Sequence, residues 1–210
     1  MWRWFQSRQA ALERPRVFET IYANGDWGLG DGGERRSGRG SHDPAFVDAY
    51  VAAIDRVLRE QSCVGRLVDL GCGDFNVGRH FLRACRDYLA CDISSTIIEQ
   101  NQQRYPDAPV RFQTLDIVAH RLPHGEIALL RQVLQHLSNA DVKALVDRLH
   151  RDQPYRWLIV TEHVPAGADW SPNQDMAAGG AIRLSQGSGM DLQAPPFELS
   201  CRQAIVLCEV

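Results

Sequence analysis

Apolar positions along the chain repeat with two periods. From Pro44 onward, Phe46, Val47, Tyr50, Val51, Ile54, Val57 and Leu58 recur every three or four residues, which predicts an amphipathic helix ending near Gln61. Asp43 as N-cap and Pro44 at the first helical position start it. Short apolar runs then replace the helical spacing. They predict five buried strands, at 66–70, 88–92, 110–115, 127–130 and 157–160. Helical patterns lie between them. One runs from Val77 to Ala84. A second is capped by Ser94, Ser95 and Thr96, has Glu99 as capping-box partner, and ends before Pro106. A third opens on the box Ser138–Asp141 and continues through Val142, Leu145, Val146 and Leu149. The crossover holding Pro123 and Gly125 is too short for a full helix. Repeated β–α units with apolar strands predict an α/β domain: an open parallel sheet with helices on both faces.

The flanks read differently. Residues 1–13 predict a helix stopped by Pro15, with another turn or two from Val17 to Tyr22. The glycine-rich stretch from Asn24 to Ser41 fits no regular element; it is either a linker or, given Trp27, a loop closing over a ligand. Prolines and glycines exclude long elements from 162–202, a loop of a length that is usually functional or disordered. Within it Ala181–Ser185 predicts a short strand, and after it Gln203–Cys208 predicts a final antiparallel strand. The whole reads as a single domain, 1–210. It divides into an N-terminal helix and glycine-rich lid (1–42), a core (64–162) and a substrate-side loop (163–202).

Composition narrows the function. A net charge of −3 gives no electrostatic case for nucleic acid. The 44% hydrophobic content is that of a soluble globular protein, and no apolar run is long enough to span a membrane. Trp2, Trp4 and Phe5 lack the pattern of a signal peptide; they suit capping of the core or pocket better than a membrane surface. Cys63, Cys72, Cys85, Cys91, Cys201 and Cys208 have no metal spacing and read as free thiols, which places the chain in the cytoplasm. Lys143 is the only lysine, which is read as coding bias.

Chemistry concentrates after the first strand. Strand, glycine turn and helix start predict a nucleotide cradle. Gly71 and Gly73 admit a ligand to the backbone, and the free N–H groups of the helix start point at it. A dinucleotide fingerprint puts its third glycine where Asn76 stands, and Phe75 crowds the place of a pyrophosphate. No Gly-Lys-Ser/Thr follows. NAD, FAD and ATP are therefore disfavoured. Asp69, Asp92, Asp116 and Arg131 fall at or near the carboxyl ends of strands, on the edge where open α/β sheets bind ligands.

Val68-Asp69-Leu70-Gly71-Cys72-Gly73 resembles the first motif of the class I S-adenosylmethionine-dependent methyltransferases. Asp92 resembles the acidic residue that holds the ribose hydroxyls in that family, and Leu115-Asp116-Ile117 the segment contacting adenine. The run from Arg131 to Ser138 resembles the motif lining the methyl-transfer site. The resemblance covers about residues 64–162. It implies a Rossmann-like methyltransferase fold, mostly parallel with an antiparallel C-terminal edge strand, and S-adenosylmethionine as cofactor with no metal. The implied cofactor-binding residues are Trp27, Arg39, Asp69, Gly71, Cys72, Gly73, Asp92, Ile93, Leu115, Asp116, Ile117 and Arg131. The glycine-rich segment, with Cys72–Asn76, also resembles a small bacterial subgroup mostly of unassigned substrate. Two departures stand out. Phe75 replaces the usual third glycine. One clear strand after residue 185 replaces a hairpin, so the far sheet edge is either abbreviated or completed by a partner, with a homodimer as the candidate.

The residues themselves suit this cofactor. Asp92 can accept two charged hydrogen bonds from a ribose. Asp116 can accept from an adenine amino group or cap a turn, and Asp69 can orient the glycine turn and face a ligand amino group or simply bond the turn backbone. An acidic cradle favours a sulfonium cation over a phosphate. Methyl transfer by in-line displacement needs alignment and exclusion of water, and a hydroxyl acceptor also benefits from a base. His136 leads as base candidate, with backbone bonding as its alternative; His163, beside Glu162, is the second. Arg131 suits a carboxylate of substrate or cofactor, or a salt bridge. Trp27 and Tyr22 suit a lid or core packing, and Asn173, Asp175, Met176 and Arg183 are candidate acceptor-pocket residues. The acceptor is expected to be a small molecule, methylated on O or N. The competing readings are a non-catalytic S-adenosylmethionine-binding protein, another reaction of the same cofactor, and, remotely, a nicotinamide dehydrogenase.

Overall fold

Five strands align in a parallel sheet of order β3-β2-β1-β4-β5 in the computed structural model, which describes residues 2–62, 65–167 and 169–203, with residues 2–11 as backbone alone. The strands are β1 (Arg66–Leu70), β2 (Asp87–Asp92), β3 (Arg111–Thr114), β4 (Ile127–Arg131) and β5 (Trp157–Thr161). Register follows the two-residue period. Leu67, Tyr88, Ala90, Ile127 and Leu129 face one core, shared with Val47, Tyr50, Ile54 and Leu58 of helix α2 (Pro44–Glu60). Val68, Leu70, Leu89, Cys91, Ala128 and Leu130 face the other, shared with Phe18 and Ile21 of α1 (Trp2–Asn24) and Leu145 and Val146 of α4 (Asn139–Asp152). Each Val, Leu, Ile or Phe side chain withdrawn from water contributes roughly 1.5–3 kcal/mol. Helix α3 (Ser95–Arg104) packs on β2 and β3 and against α1.

Several expectations are corrected. Helix α1 runs through Pro15. Tertiary anchors outweigh the lost backbone bond: Phe18, Ile21 and Tyr22 are buried, and Arg14 pairs with Asp116 and Asp141. The segment after β1 forms only a 3-10 turn, Gly78–Phe81, in place of a helix from Val77 to Ala84. Phe75, Val77 and Phe81 are all buried there, so apolar contacts draw the chain onto the sheet at the expense of a helical ladder. Ser94 alone caps α3, through Ile97 N–H; the carboxylate accepting from Thr96 N–H is Glu19 of α1, not Glu99. Ala181–Ser185 is not a strand; a 3-10 turn spans Arg183–Gln186. Asp43 and Ser138 cap their helices as expected. The expected edge strand Gln203–Cys208 lies, beyond Gln203, outside the described residues, as do the side chains of Trp2, Trp4 and Phe5. No helix among the described residues is long and apolar enough to cross a membrane.

Candidate functional site

A cavity of about 600 Å³ opens at the carboxyl ends of the strands, within the range of small-molecule sites. Its floor is the turn after β1. Gly71 and Gly73 both have positive φ, 85° and 53°. A Cβ on Gly71 would stand 2.3 Å from Val133 Cγ2, and one on Gly73 2.2 Å from Ser37 Oγ. The protein's own loops, not open cavity, therefore require glycine at these two positions. The turn amides are also spoken for. Gly71 and Cys72 donate to Cys91 O, Gly73 to Asp92 Oδ2, Asp74 to Ser37 Oγ and Phe75 to Cys72 O. No fan of free N–H groups faces the cavity, which corrects the expected amide cradle and leaves a phosphate nothing to bind. Phe75 is a further correction: it packs edge-on against Tyr88, Tyr105 and Phe112 in the α2-side core and crowds no ligand. It holds φ 61°, where a non-glycine residue is uncommon.

Of the four acids lining the cavity, Asp74 holds the loop that roofs it and the other three differ in state. Asp92, buried at the end of β2, accepts from Gly73 N–H (3.0 Å) and Ser94 N–H (3.1 Å), one on each oxygen, with the Ile93 amide also favouring its charge. Burial raises its pKa to about 6, against the pull of those amides. Asp69 accepts from the Tyr88 hydroxyl at 3.1 Å, not from the turn backbone, and burial raises it to about 7. Asp116 is held by Arg14, with contacts of 3.3 and 2.8 Å, and by the Val118 and Ala119 amides. A single lone pair on Oδ2 is left for a ligand. Ile93, Leu115 and Ile117 form an apolar wall beside these acids, and Cys72 lies on the floor.

The glycine-rich segment forms the roof, so it is a docked loop and not a linker. Ser37 exchanges hydrogen bonds with Asp74, accepting from Asp74 N–H at 2.7 Å and donating its own N–H to Oδ2 at 3.1 Å. Tyr22 reaches the Ser37 hydroxyl at 3.0 Å, and His42 reaches Asp74 at 2.5 Å. Gln100 brackets the Arg35 backbone from both sides. Trp27 stands between Tyr22 and His136, with ring centroids 5.1 and 5.0 Å away, and points its indole N–H at Gly180 O. Arg39 sits at the exposed rim, paired with Asp43.

The β4–β5 side carries the remaining candidates. Arg131 donates to Gly40 O (2.6 Å) and Ser41 Oγ (3.2 Å) and lies over the Tyr50 ring at 4.9 Å; the salt bridge weighed for it is absent among the described residues. His136 Nδ1 lies 3.1 Å from both Gly179 O and Ala181 O, so Nδ1 is the protonated nitrogen. Burial lowers its pKa to about 4. It fastens the 179–181 segment to the sheet, the backbone role weighed against catalysis. His163 Nε2 meets Gln132 Nε2 at 2.9 Å, and burial lowers its pKa as well. Glu162 accepts from three consecutive amides, Val133, Leu134 and Gln135, and so shapes the loop after β4; burial raises it to about 7.

Asn173, Asp175, Met176 and Arg183 do not line the cavity. Arg183 is buried and donates to Leu134 O, Leu137 O and Asn139 Oδ1, and Asn173 brackets Asp191. The loop instead presents Gly180 to Ile182, Leu184 and Ser185 to the cavity. Sequence reasoning missed Arg14, Asp74 and Ser37. Asp74 had a local signal: its side chain accepts from Asn76 N–H, the Asx turn that Asp before a loop favours. Arg14 had none, being 102 residues from its partner.

Residues 68–151 match a family model described as a methyltransferase domain. No curated protein matches the chain. Among solved structures, the DhpI–SAH complex aligns over 82% of this chain and 83% of its own at 14% identity and TM-score 0.52. The methyltransferase domain of bacterial CtHen1 aligns over 56% of this chain at 17% identity and TM-score 0.51, and this chain spans 66% of its length. The N-methyltransferase NodS of Bradyrhizobium japonicum WM9, in complex with S-adenosyl-L-homocysteine, aligns over 60% and 66% at 13% identity and TM-score 0.50. At these identities the likeness is one of fold.

Proposed function

We propose, from the premise that this chain carries a class I S-adenosylmethionine-dependent methyltransferase domain over residues 68–151, that it methylates a small molecule on oxygen or nitrogen inside the roofed cavity. The observation that carries this reading is Asp92. A buried carboxylate that lines the cavity stands at the end of β2, beside the glycine turn and under the lid. That is the acceptor the two hydroxyls of a ribose need. The apolar residues Ile93, Leu115 and Ile117 flank it on the side of β3, where an adenine ring would lie. Asp69, at the adjacent strand end, complements a positive group over the turn.

The cofactor, when bound, supplies a methyl already activated by its sulfonium. The chain's residues supply position and dryness. Trp27, Tyr22 and Phe18 wall the cavity with aromatic faces, favourable to a cation. The Ser37–Asp74 pair holds the roof down and excludes water. His136, neutral and with Nδ1 committed to the loop, is a weak base. This favours an acceptor that arrives as a competent nucleophile, such as a neutral amine, over a hydroxyl needing deprotonation. A roofed cavity of about 600 Å³ and a net charge of −3 favour a small acceptor over nucleic acid.

The test is methyl transfer from labelled S-adenosylmethionine into a panel of small amines, phenols and hydroxy acids. Label in a small-molecule product supports the proposal. Binding of cofactor with no transfer to any class would leave the non-catalytic reading, and methylthioadenosine as product would mean a different reaction of the same cofactor.

A further inference from the structure

Arg131 lines the cavity as a cation without a counter-ion. Among the described residues no carboxylate lies within ion-pair distance of it; its hydrogen-bond partners are two neutral lid atoms, Gly40 O and Ser41 Oγ, and its Nε has none. Asp69, Glu162 and Asp74 act on it only from farther away. The contrast with Arg14, which meets Asp116 and Asp141 at 2.8 and 2.6 Å, is direct. A guanidinium cannot shed its charge, and a cation drawn out of water without a counter-ion costs several kcal/mol. Two of its five N–H groups are used by the lid. The Tyr50 ring covers one face, so the free edge is where a ligand meets it.

Position says which ligand. Arg131 ends β4, and β1 lies between β4 and the β2 strand that carries Asp92. At about 4.8 Å per strand the two residues stand roughly 10 Å apart across the sheet. With ribose at Asp92 and adenine toward β3, the β4 side is the acceptor's. Its walls there are largely apolar: Phe46 and Tyr50 from α2, and Ile182 and Leu184 from the loop.

We propose that Arg131 is the specificity-determining residue of the acceptor site, and that the acceptor is a small carboxylate with an apolar or aromatic body. The carboxylate bonds the free edge of the guanidinium, and its body lies against Phe46, Tyr50 and Leu184. This rests on the methyltransferase reading above.

The test titrates benzoate and its neutral isostere benzamide, by calorimetry, into the full chain saturated with S-adenosylhomocysteine. Benzoate is expected to bind at least about tenfold tighter than benzamide. Arg131→Met should erase that preference and Arg131→Lys should keep part of it, and any loss of S-adenosylhomocysteine affinity from the freed lid bonds should be shared by methylthioadenosine. Equal binding of benzoate and benzamide by the wild-type chain overturns the proposal without any variant. So does a loss of S-adenosylhomocysteine affinity in Arg131→Met that methylthioadenosine, which lacks the carboxylate, does not share: the cofactor would then be the ion's partner. A wild-type chain that binds no S-adenosylhomocysteine at all would instead sink the underlying reading, and this proposal with it.

Discussion

Asp69 and Asp92 are acids that the fold makes harder to ionise, to about 7 and about 6. Between about pH 4 and pH 7 the folded chain therefore holds protons that the unfolded chain has released, and stability falls as pH rises through that window. Asp69→Asn removes its share. In urea unfolding at about pH 8 the variant is expected to be more stable by on the order of 2 kcal/mol, with the gap closing toward about pH 4. A variant less stable than wild type at both pH values would mean that the Tyr88 bond outweighs the burial of charge. The same logic applied to His136 has the opposite sense. Burial keeps it neutral down to about 4, so the pH–rate profile is expected to show no inflection from it between about pH 5 and 8. An inflection in that range that disappears in His136→Gln would return it to the role of base. These residues also mark what a sequence can disclose. Asp92 and Gly73 were legible because local spacing places them. The reason Gly73 is glycine was not, since the atom that forbids a Cβ belongs to Ser37, 36 positions away.

Elements were legible where burial alone decides them. β1, β2 and β4 are buried apolar runs, β3 is an exposed edge strand with Phe112 as its one apolar residue, and α2 and α4 carry both a cap and a helical stripe. The expectations fail mainly where distant contacts override local propensity. Pro15 should end a helix, but Arg14 ties that turn of α1 to Asp116 at the end of β3 and to Asp141 in α4. Arg14→Met leaves two carboxylates without their cation in a buried setting. It is expected to cost about 3–5 kcal/mol in denaturant unfolding; a loss under about 1 kcal/mol would mean that α1 docks by its apolar face alone. The lid is the second element whose role was half visible. Its glycines predicted a loop, but the latch depends on one hydroxyl. Ser37→Ala removes the acceptor of Asp74 N–H and the partner of Tyr22. Faster release of S-adenosylhomocysteine, by about three- to tenfold in stopped flow, is the expected result, with the fold intact. An unchanged release rate would mean that the lid is held elsewhere.

For the molecule as a whole, the sheet order puts β1 at its centre between β2 and β4, with the cavity across the carboxyl ends, the residues proposed for adenine toward β3 and those proposed for the acceptor toward β5. The parallel α/β architecture could be read from strand and helix periods, and the position of the site from acids at strand ends. The β5 side of the cavity could not, because it is built in part by the loop from 162 to 202, where buried Arg183 and Asn173 act as fasteners and the cavity wall falls mainly to small and apolar residues. The central claim, that Asp92 anchors S-adenosylmethionine at this edge, is tested most directly by calorimetric titration of the cofactor into the wild-type chain and Asp92→Ala. Wild type is expected to bind and the variant to bind about 30- to 100-fold more weakly, the loss of charged hydrogen bonds worth about 2–3 kcal/mol. Equal affinity in the two proteins would contradict the account.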